Sequence, residues 1–208
     1  MKKSSLLVLL CLVFTTNFLN AQEEETKESK LEIFVHADIG NGIIENDLEP
    51  NYNVNAENGE ILLNYKFWKT LGLATGIAYS EINGNGFSSR GDFYHKRAML
   101  KIPLLLSFDT KLGEKFRMIS TFGVYSQYVV KDEYSFLLRK IDNVYEGWNF
   151  GSRLGISLIY QVYDNLGIGV HFNYQSDFSE LENNNQIVND KQKINNLNTF
   201  GLIATFGL

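Results

Sequence analysis

The longest unbroken alternation of hydrophobic and polar positions in the chain runs from Arg97 to Asp109, R-A-M-L-K-I-P-L-L-L-S-F-D. Ala98, Leu100, Ile102, Leu104, Leu106 and Phe108 share one face of an extended segment. Arg97, Met99, Lys101, Pro103, Leu105, Ser107 and Asp109 share the other. A period of two belongs to a β-strand. The first face stays apolar for longer than a half-buried strand requires, and a tilted strand needs roughly 9 to 11 residues to cross the hydrocarbon layer. This stretch is therefore read as a membrane-spanning strand with its charges turned one way.

Seven further segments repeat the pattern. A first strand sets Leu31, Ile33, Val35, Ala37 and Ile39 against Glu32, Phe34, His36, Asp38 and Gly40. A second, Gly59 to Trp68, carries Ile61, Leu63, Tyr65 and Phe67 opposite Glu60, Leu62, Asn64 and Lys66. In the third, Leu71, Leu73, Ile77 and Tyr79 face away from the small residues Gly72, Ala74, Gly76, Ala78 and Ser80. The Arg97 strand is the fourth. The fifth runs from about Lys115 to Val130, the sixth from Val144 to Gln161 and the seventh from Leu166 to Asp177; the eighth ends the sequence with Phe200, Leu202, Ala204, Phe206 and Leu208 on its apolar face. Segments 41–58, 83–92, 131–143 and 178–195 are polar and rich in turn-forming residues, and read as long loops. Short turns fall at Lys69–Thr70, Thr110–Glu114 and Val162–Asn165.

Eight strands joined alternately by long loops and short turns, with no helix to serve as a parallel crossover, predict an all-β fold: an eight-stranded antiparallel up-and-down barrel. Alternation alone does not say which side of the wall faces inward. Charge decides it. Lys66, Arg97, Lys101, Arg117 and Arg153 lie on the same side as Glu32, Asp38, Glu60, Asp109 and Asp177. Facing a lumen these groups pair; facing lipid, each Arg or Lys costs about 2–4 kcal/mol at mid-depth. The apolar side also bears aromatics near the short turns (Tyr65, Phe67, Phe108, Phe116, Tyr160, Phe206) and near the long loops (Tyr79, Tyr94, Tyr128, Trp148, Tyr174), as two interfacial girdles do. The prediction is thus a transmembrane barrel surrounded by outer-membrane lipids, with short turns and both termini periplasmic and the long loops outside.

The start of the chain fits that destination. Lys2 and Lys3 precede the apolar run Leu6 to Phe14, and the polar stretch after it ends in Ala21, so residues 1–21 read as a signal peptide. Residues 22–30 form a short charged periplasmic tail, and 31–208 the barrel domain. Localisation in the cell outer membrane after signal cleavage follows. Among the 208 residues Cys11 is the only cysteine, so the mature protein is expected to hold no disulfide or thiolate site. A net charge of −5 with no basic excess argues against a nucleic-acid partner.

The segment K-I-P-L-L-L-S-F, followed across a turn by a strand containing F-G-V-Y-S, resembles the PorT-like outer membrane β-barrel domain family. L-A-T-G-I-A-Y-S and F-G-S-R-L-G-I look like the same family's hairpins. Pro103 is the most specific element of the resemblance. A proline inside a strand removes a ladder donor, and read without the family it marks a bulge or kink. The resemblance implies an outer-membrane protein; the branch that gives the family its name acts in a secretion system, which makes secretion-system or envelope proteins the implied partners.

No residue is assigned a catalytic, cofactor-binding or metal-binding role from the sequence, and no cofactor is expected. HExxH, phosphate-loop, nucleophile-elbow and EF-hand patterns do not occur. His36 and Asp38 on the first strand and His171 on the seventh face the lumen, where they read as members of a polar network. His95 reads as a loop-edge residue near Ser88 and Ser89. Glu45, Asp47 and Glu49 form an acidic loop group, read as solvated charge. Eight strands leave an interior that side chains fill, so an open porin is not expected. Two function classes remain. One is a non-catalytic barrel that is structural, adhesive or secretion-associated through its loops; the other is a lipid-modifying enzyme, an acyltransferase or deacylase using lumen or rim histidines.

Overall fold

In the computed structural model, residues 30–183 and 190–208 are described; the signal segment and the tail up to residue 29 lie outside them. The described residues form β1 (Leu31–Asn46), β2 (Tyr52–Lys66), β3 (Leu71–Ser88), β4 (Gly91–Lys111), β5 (Phe116–Phe136), β6 (Lys140–Asp142), β7 (Gly147–Tyr163), β8 (Leu166–Asp177), β9 (Leu181–Glu182) and β10 (Lys191–Gly207). Each long strand pairs antiparallel with the next in the order β1-β2-β3-β4-β5-β7-β8-β10. β10 returns to β1 in register from Glu32↔Gly207 to Asn46↔Gln192, so the sheet closes as an eight-stranded barrel. The short β6 and β9 hang on β5 and β10 at the loop end. First and last strands meet at the other end, where Leu208 N donates to Leu31 O at 2.9 Å.

The expected faces hold. Leu100, Ile102, Leu104 and Leu106 are exposed on the outside of β4, while Lys101, Pro103, Leu105 and Ser107 are buried inside it. The apolar belt runs from Tyr65, Phe116 and Tyr160 near the short turns to Tyr79, Tyr128 and Trp148 toward the loops. Tyr128 and Trp148 pack with ring centroids 5.3 Å apart. Above Tyr79 the outer surface turns polar, beginning with the Glu81–Lys96 ion pair at 2.6 Å. This belt is the lipid-facing band of an outer-membrane barrel.

Of the four segments expected to be long loops, 41–58, 83–92 and 131–143 are in large part strand, and 178–195 contributes 181–182 and 191–195 among its described residues. β4 and β5 contain 21 residues each, about twice what a crossing needs. The wall therefore continues beyond the belt into water, and there the sense of the alternation inverts. In β2, Ile61, Leu63 and Tyr65 point to lipid and Glu60, Asn64 and Lys66 point inward; further up, Tyr52, Val54 and Ala56 are the buried positions and Asn53, Asn55 and Glu57 the exposed ones. The parity of the strand never changes. What changes is the solvent outside, so the polar residues move to the outer face and an apolar core fills the interior.

Two bulges adjust that parity in other strands. Between Ala98 and Met99 of β4, the partner strand β5 advances from Lys131 to Val129, which makes Val130 an extra residue. A second extra residue lies in β10, where the partners of Asn41 and Ile43 are Asn198 and Asn195, and Asn196 takes φ of 51°. Both turn the strand over, bringing Asp132, Tyr134, Gln192 and Ile194 to the inside. Pro103, by contrast, causes no shift. The β3–β4 register is the same on either side of it, from Thr75↔Leu104 to Ala78↔Lys101, with the intervening rungs lost. The Thr75 hydroxyl donates to Pro103 O at 2.8 Å across the gap.

Candidate functional site

The lumen is filled in layers. At the mouth on the short-turn side Lys66 Nζ lies 2.7 Å from Asp109 Oδ2 and 3.2 Å from Glu32 Oε2. Arg117 Nη1 contacts the same two acids at 3.4 and 2.8 Å. Two cations and two anions from β1, β2, β4 and β5 thus close that end with balanced charge. Over them sits an apolar layer that includes Phe34, Leu62, Leu105, Ile119, Ile159 and Ile203. The small face of β3, with Gly72, Ala74, Ala78 and Ser80, makes room for the long side chains that cross from other strands.

The middle layer is polar. Arg153 donates to both carboxylate oxygens of Glu60, at 2.5 and 2.7 Å. Lys101 Nζ donates to Gln175 Oε1 at 2.8 Å. Asp177 accepts from Tyr125 at 2.5 Å, from Gln127 at 3.1 Å, from Asn149 at 2.8 Å and from the Ile194 backbone at 2.9 Å. In the same layer His36 and His171 meet with ring centroids 4.4 Å apart. One ligating atom from each of His36, Asp38 and His171 lies within 4.8 Å of the others. The sequence placed these three in the lumen with His171 two strands from His36 and Asp38 through the last strand; the structure keeps that relation, with β10 between β1 and β8.

Above the belt the interior becomes apolar again, with Ile44, Tyr52, Ile82, Phe93, Met99 and Val129 in a second core. An ionic cluster is embedded in it. Asp132 Oδ1 accepts from Arg97 Nε at 2.7 Å and lies 2.8 Å from His95 Nε2. His95 Nδ1 is 2.8 Å from the Tyr52 hydroxyl. Arg97 also donates to Gln192 at 2.8 Å, and its guanidinium carbon sits 5.1 Å over the Tyr145 ring. Burial pushes the Tyr145 phenol above its ordinary range. His95 is therefore not at a loop edge but fully buried inside the wall extension. Asp132, Tyr134, Tyr145 and Gln192 escape the sequence reading because three of them lie in segments taken for loop and the fourth borders the sixth strand's start. The signal that does survive is the spacing of His95 and Arg97, two apart and hence on one face.

At the loop end, a cavity of about 230 Å³ is lined by Leu48, Tyr52, Phe87, Phe93, Phe136 and Tyr145 together with Glu49, Arg90 and Asp190. Gly86 matters here, since a side chain on it would run into the Phe93 ring. Two of the three acidic residues, Glu45 and Glu49, are engaged rather than merely solvated. Glu49 accepts from the Ser89 backbone at 3.0 Å and hydroxyl at 2.7 Å, tying the β1–β2 hairpin tip to the β3–β4 tip. Glu45 accepts from Asn195 at 2.5 Å and pairs with Lys193 at 3.4 Å. The backbone N–H of Asp47 donates to Asp190 at 3.0 Å.

A closed eight-stranded wall with a lipid-facing belt, two aromatic girdles and a packed lumen defines the class: this is an outer-membrane β-barrel protein. Solved structures agree on the fold. The chain is similar to OprG from Pseudomonas aeruginosa, with a TM-score of 0.55 and 12% identity over 87% of this chain and 98% of that one. It is likewise similar to Neisserial surface protein A, with a TM-score of 0.50 and 11% identity over 85% of this chain and 97% of that one. No protein-family model matches the sequence, and no curated protein matches it.

Proposed function

We propose that the protein is a non-catalytic barrel that acts at the cell surface through its outer end, as an adhesive or secretion-associated component, and not as an open porin. The observation that carries this reading is a set of large apolar side chains standing in water at the hairpin tips, far above the lipid belt. Leu137 and Leu138 are 96% and 94% exposed, Leu48 76% and Phe87 59%. Apolar groups concentrated on one rim mark an interaction surface. The K-I-P-L-L-L-S-F resemblance to PorT-like barrels supports a secretion-associated partner over a structural role alone. The test compares cells carrying the natural protein with cells carrying the combined Leu48→Ser, Phe87→Ser, Leu137→Ser and Leu138→Ser variant. Surface attachment, or release of outer-membrane-secreted cargo, is expected to fall with barrel assembly intact. Both unchanged would overturn the reading.

A lipid-modifying enzyme is the alternative, and one contact favours it: Ser157 Oγ lies 2.8 Å from His171 Nδ1, beside Asp38. Ser157, however, is 2% exposed in the barrel interior, away from any acyl chain. A nucleophile needs its substrate within reach, so this burial supports the non-catalytic reading. Washed outer membranes assayed for lipid A or phospholipid turnover separate the two. Turnover that disappears in His36→Ala and His171→Ala proteins would establish the enzyme.

A further inference from the structure

We propose that His36, Asp38 and His171 form a binding site for one divalent transition-metal ion, of the zinc type, that clamps the closing seam of the barrel. The three side chains come from the two strands that flank β10, the strand that closes the wall: His36 and Asp38 from β1, His171 from β8. Their donor set is two imidazoles and a carboxylate, which suits zinc and its first-row neighbours rather than magnesium or calcium.

Several independent features point at an ion. All three residues are at least nine-tenths buried, yet neither ring nitrogen of His36, nor His171 Nε2, nor Asp38 Oδ1 has a hydrogen-bond partner. Unsatisfied buried polar atoms are costly, and four in one cluster are unusual without something between them. His171 is already held as a metal ligand is held. Its Nδ1 is bonded to Ser157 Oγ at 2.8 Å, which fixes the ring and leaves Nε2 turned to the cluster. Gly201 pairs with both Asp38 and His171 in the register, which sets the two side chains level across β10; a side chain on it would meet the Ala37 backbone oxygen and then Asp38 Oδ1. Charge favours a cation as well. Asp38 and Glu60 lie beside the same guanidinium, that of Arg153, and Glu60 is already bound by it through both oxygens.

The ligating atoms stand within 4.8 Å of one another. Tetrahedral zinc bonds of about 2.0–2.2 Å set ligand atoms about 3.3–3.6 Å apart, so the widest pair closes by up to about 1.5 Å when the ion binds. Glu60 Oε2 lies 3.5 Å from His36 Nδ1.

The experiment uses the untagged protein refolded in detergent with Zn²⁺ or Co²⁺ and then freed of loose metal. About one ion per folded chain is expected, with a Co²⁺ d–d absorption band that Zn²⁺ displaces, and with a higher unfolding temperature for the metal-loaded protein. His171→Gln and Asp38→Asn should each abolish the band while the protein still shows folded migration on gels. Ser157→Ala should weaken retention by about 10- to 100-fold, the usual effect of removing a group that orients a ligand. No stoichiometric metal in the natural protein, or equal retention in the His171→Gln and Asp38→Asn proteins, would overturn the site and leave a polar network only. This test reads the metal directly, so its failure is independent of the surface function proposed above.

Discussion

Arg97 and Asp132 meet at 2.7 Å with no exposure of either side chain, and they do so because one extra residue, Val130, turns β5 over. Were the alternation to run through Val130 without a bulge, Asp132 would point outward and Arg97 would be buried without a carboxylate. The bulge is thus what allows a charged pair to sit inside an otherwise apolar core.

Removing one partner of this pair should therefore cost far more than removing both. Asp132→Ala leaves the guanidinium uncompensated and is expected to destabilise the folded barrel by about 3–5 kcal/mol. The double variant Arg97→Met with Asp132→Leu should recover most of that loss. Denaturant unfolding in micelles measures both; equal stability of the single and double variants would show that the pair is not the reason.

The two faces of β4 give a second contrast. Leu104 is exposed to lipid and Lys101 is buried against Gln175. Leu104→Arg is expected to cost about 2–4 kcal/mol near mid-depth and to block assembly. Lys101→Met, which keeps the stem and removes only the charge, should assemble. Protease protection after insertion into vesicles distinguishes them, and equal tolerance would mean the faces are reversed.

Conductance should be absent. The ion cluster at the short-turn end, the Phe34–Leu105 layer and the middle polar layer stack along the lumen with their side chains buried or nearly so. Planar-bilayer recordings of the purified protein are expected to show no stepwise openings, and stable porin-sized steps would contradict the packed lumen.

Glycines in the wall are not equivalent. At Gly123, within F-G-V-Y-S, a methyl group would run into the backbone oxygen of Leu104, whereas at Gly59 it meets nothing within 4 Å. Gly123→Ala is expected to lower the yield of folded, heat-modifiable protein several-fold, and Gly59→Ala to leave it unchanged. The requirement at Gly123 comes from close approach of the neighbouring strand.

What the sequence determined by itself is the lower, membrane-embedded half of the molecule. Lipid outside and a narrow interior inside force apolar and polar residues onto opposite faces, so the period of two, the eight strands, the inward set from Glu32 to Asp177 and the aromatic girdles are all legible in the order of residues. The tertiary structure alone decided the outer half. There the wall stands in water, the same parity carries Tyr52, Val54 and Ala56 inward and Asn53, Asn55 and Glu57 outward, and a pattern keyed to lipid reads as loop. Bulges at Val130 and Asn196 then break the period, so Asp132 and Gln192 reach Arg97 only once neighbouring strands are in register. For His36, Asp38 and His171 the closed barrel already puts the two strands on either side of the last one, but that they stand level comes only from register: Gly201 pairs with Asp38 on one side and His171 on the other.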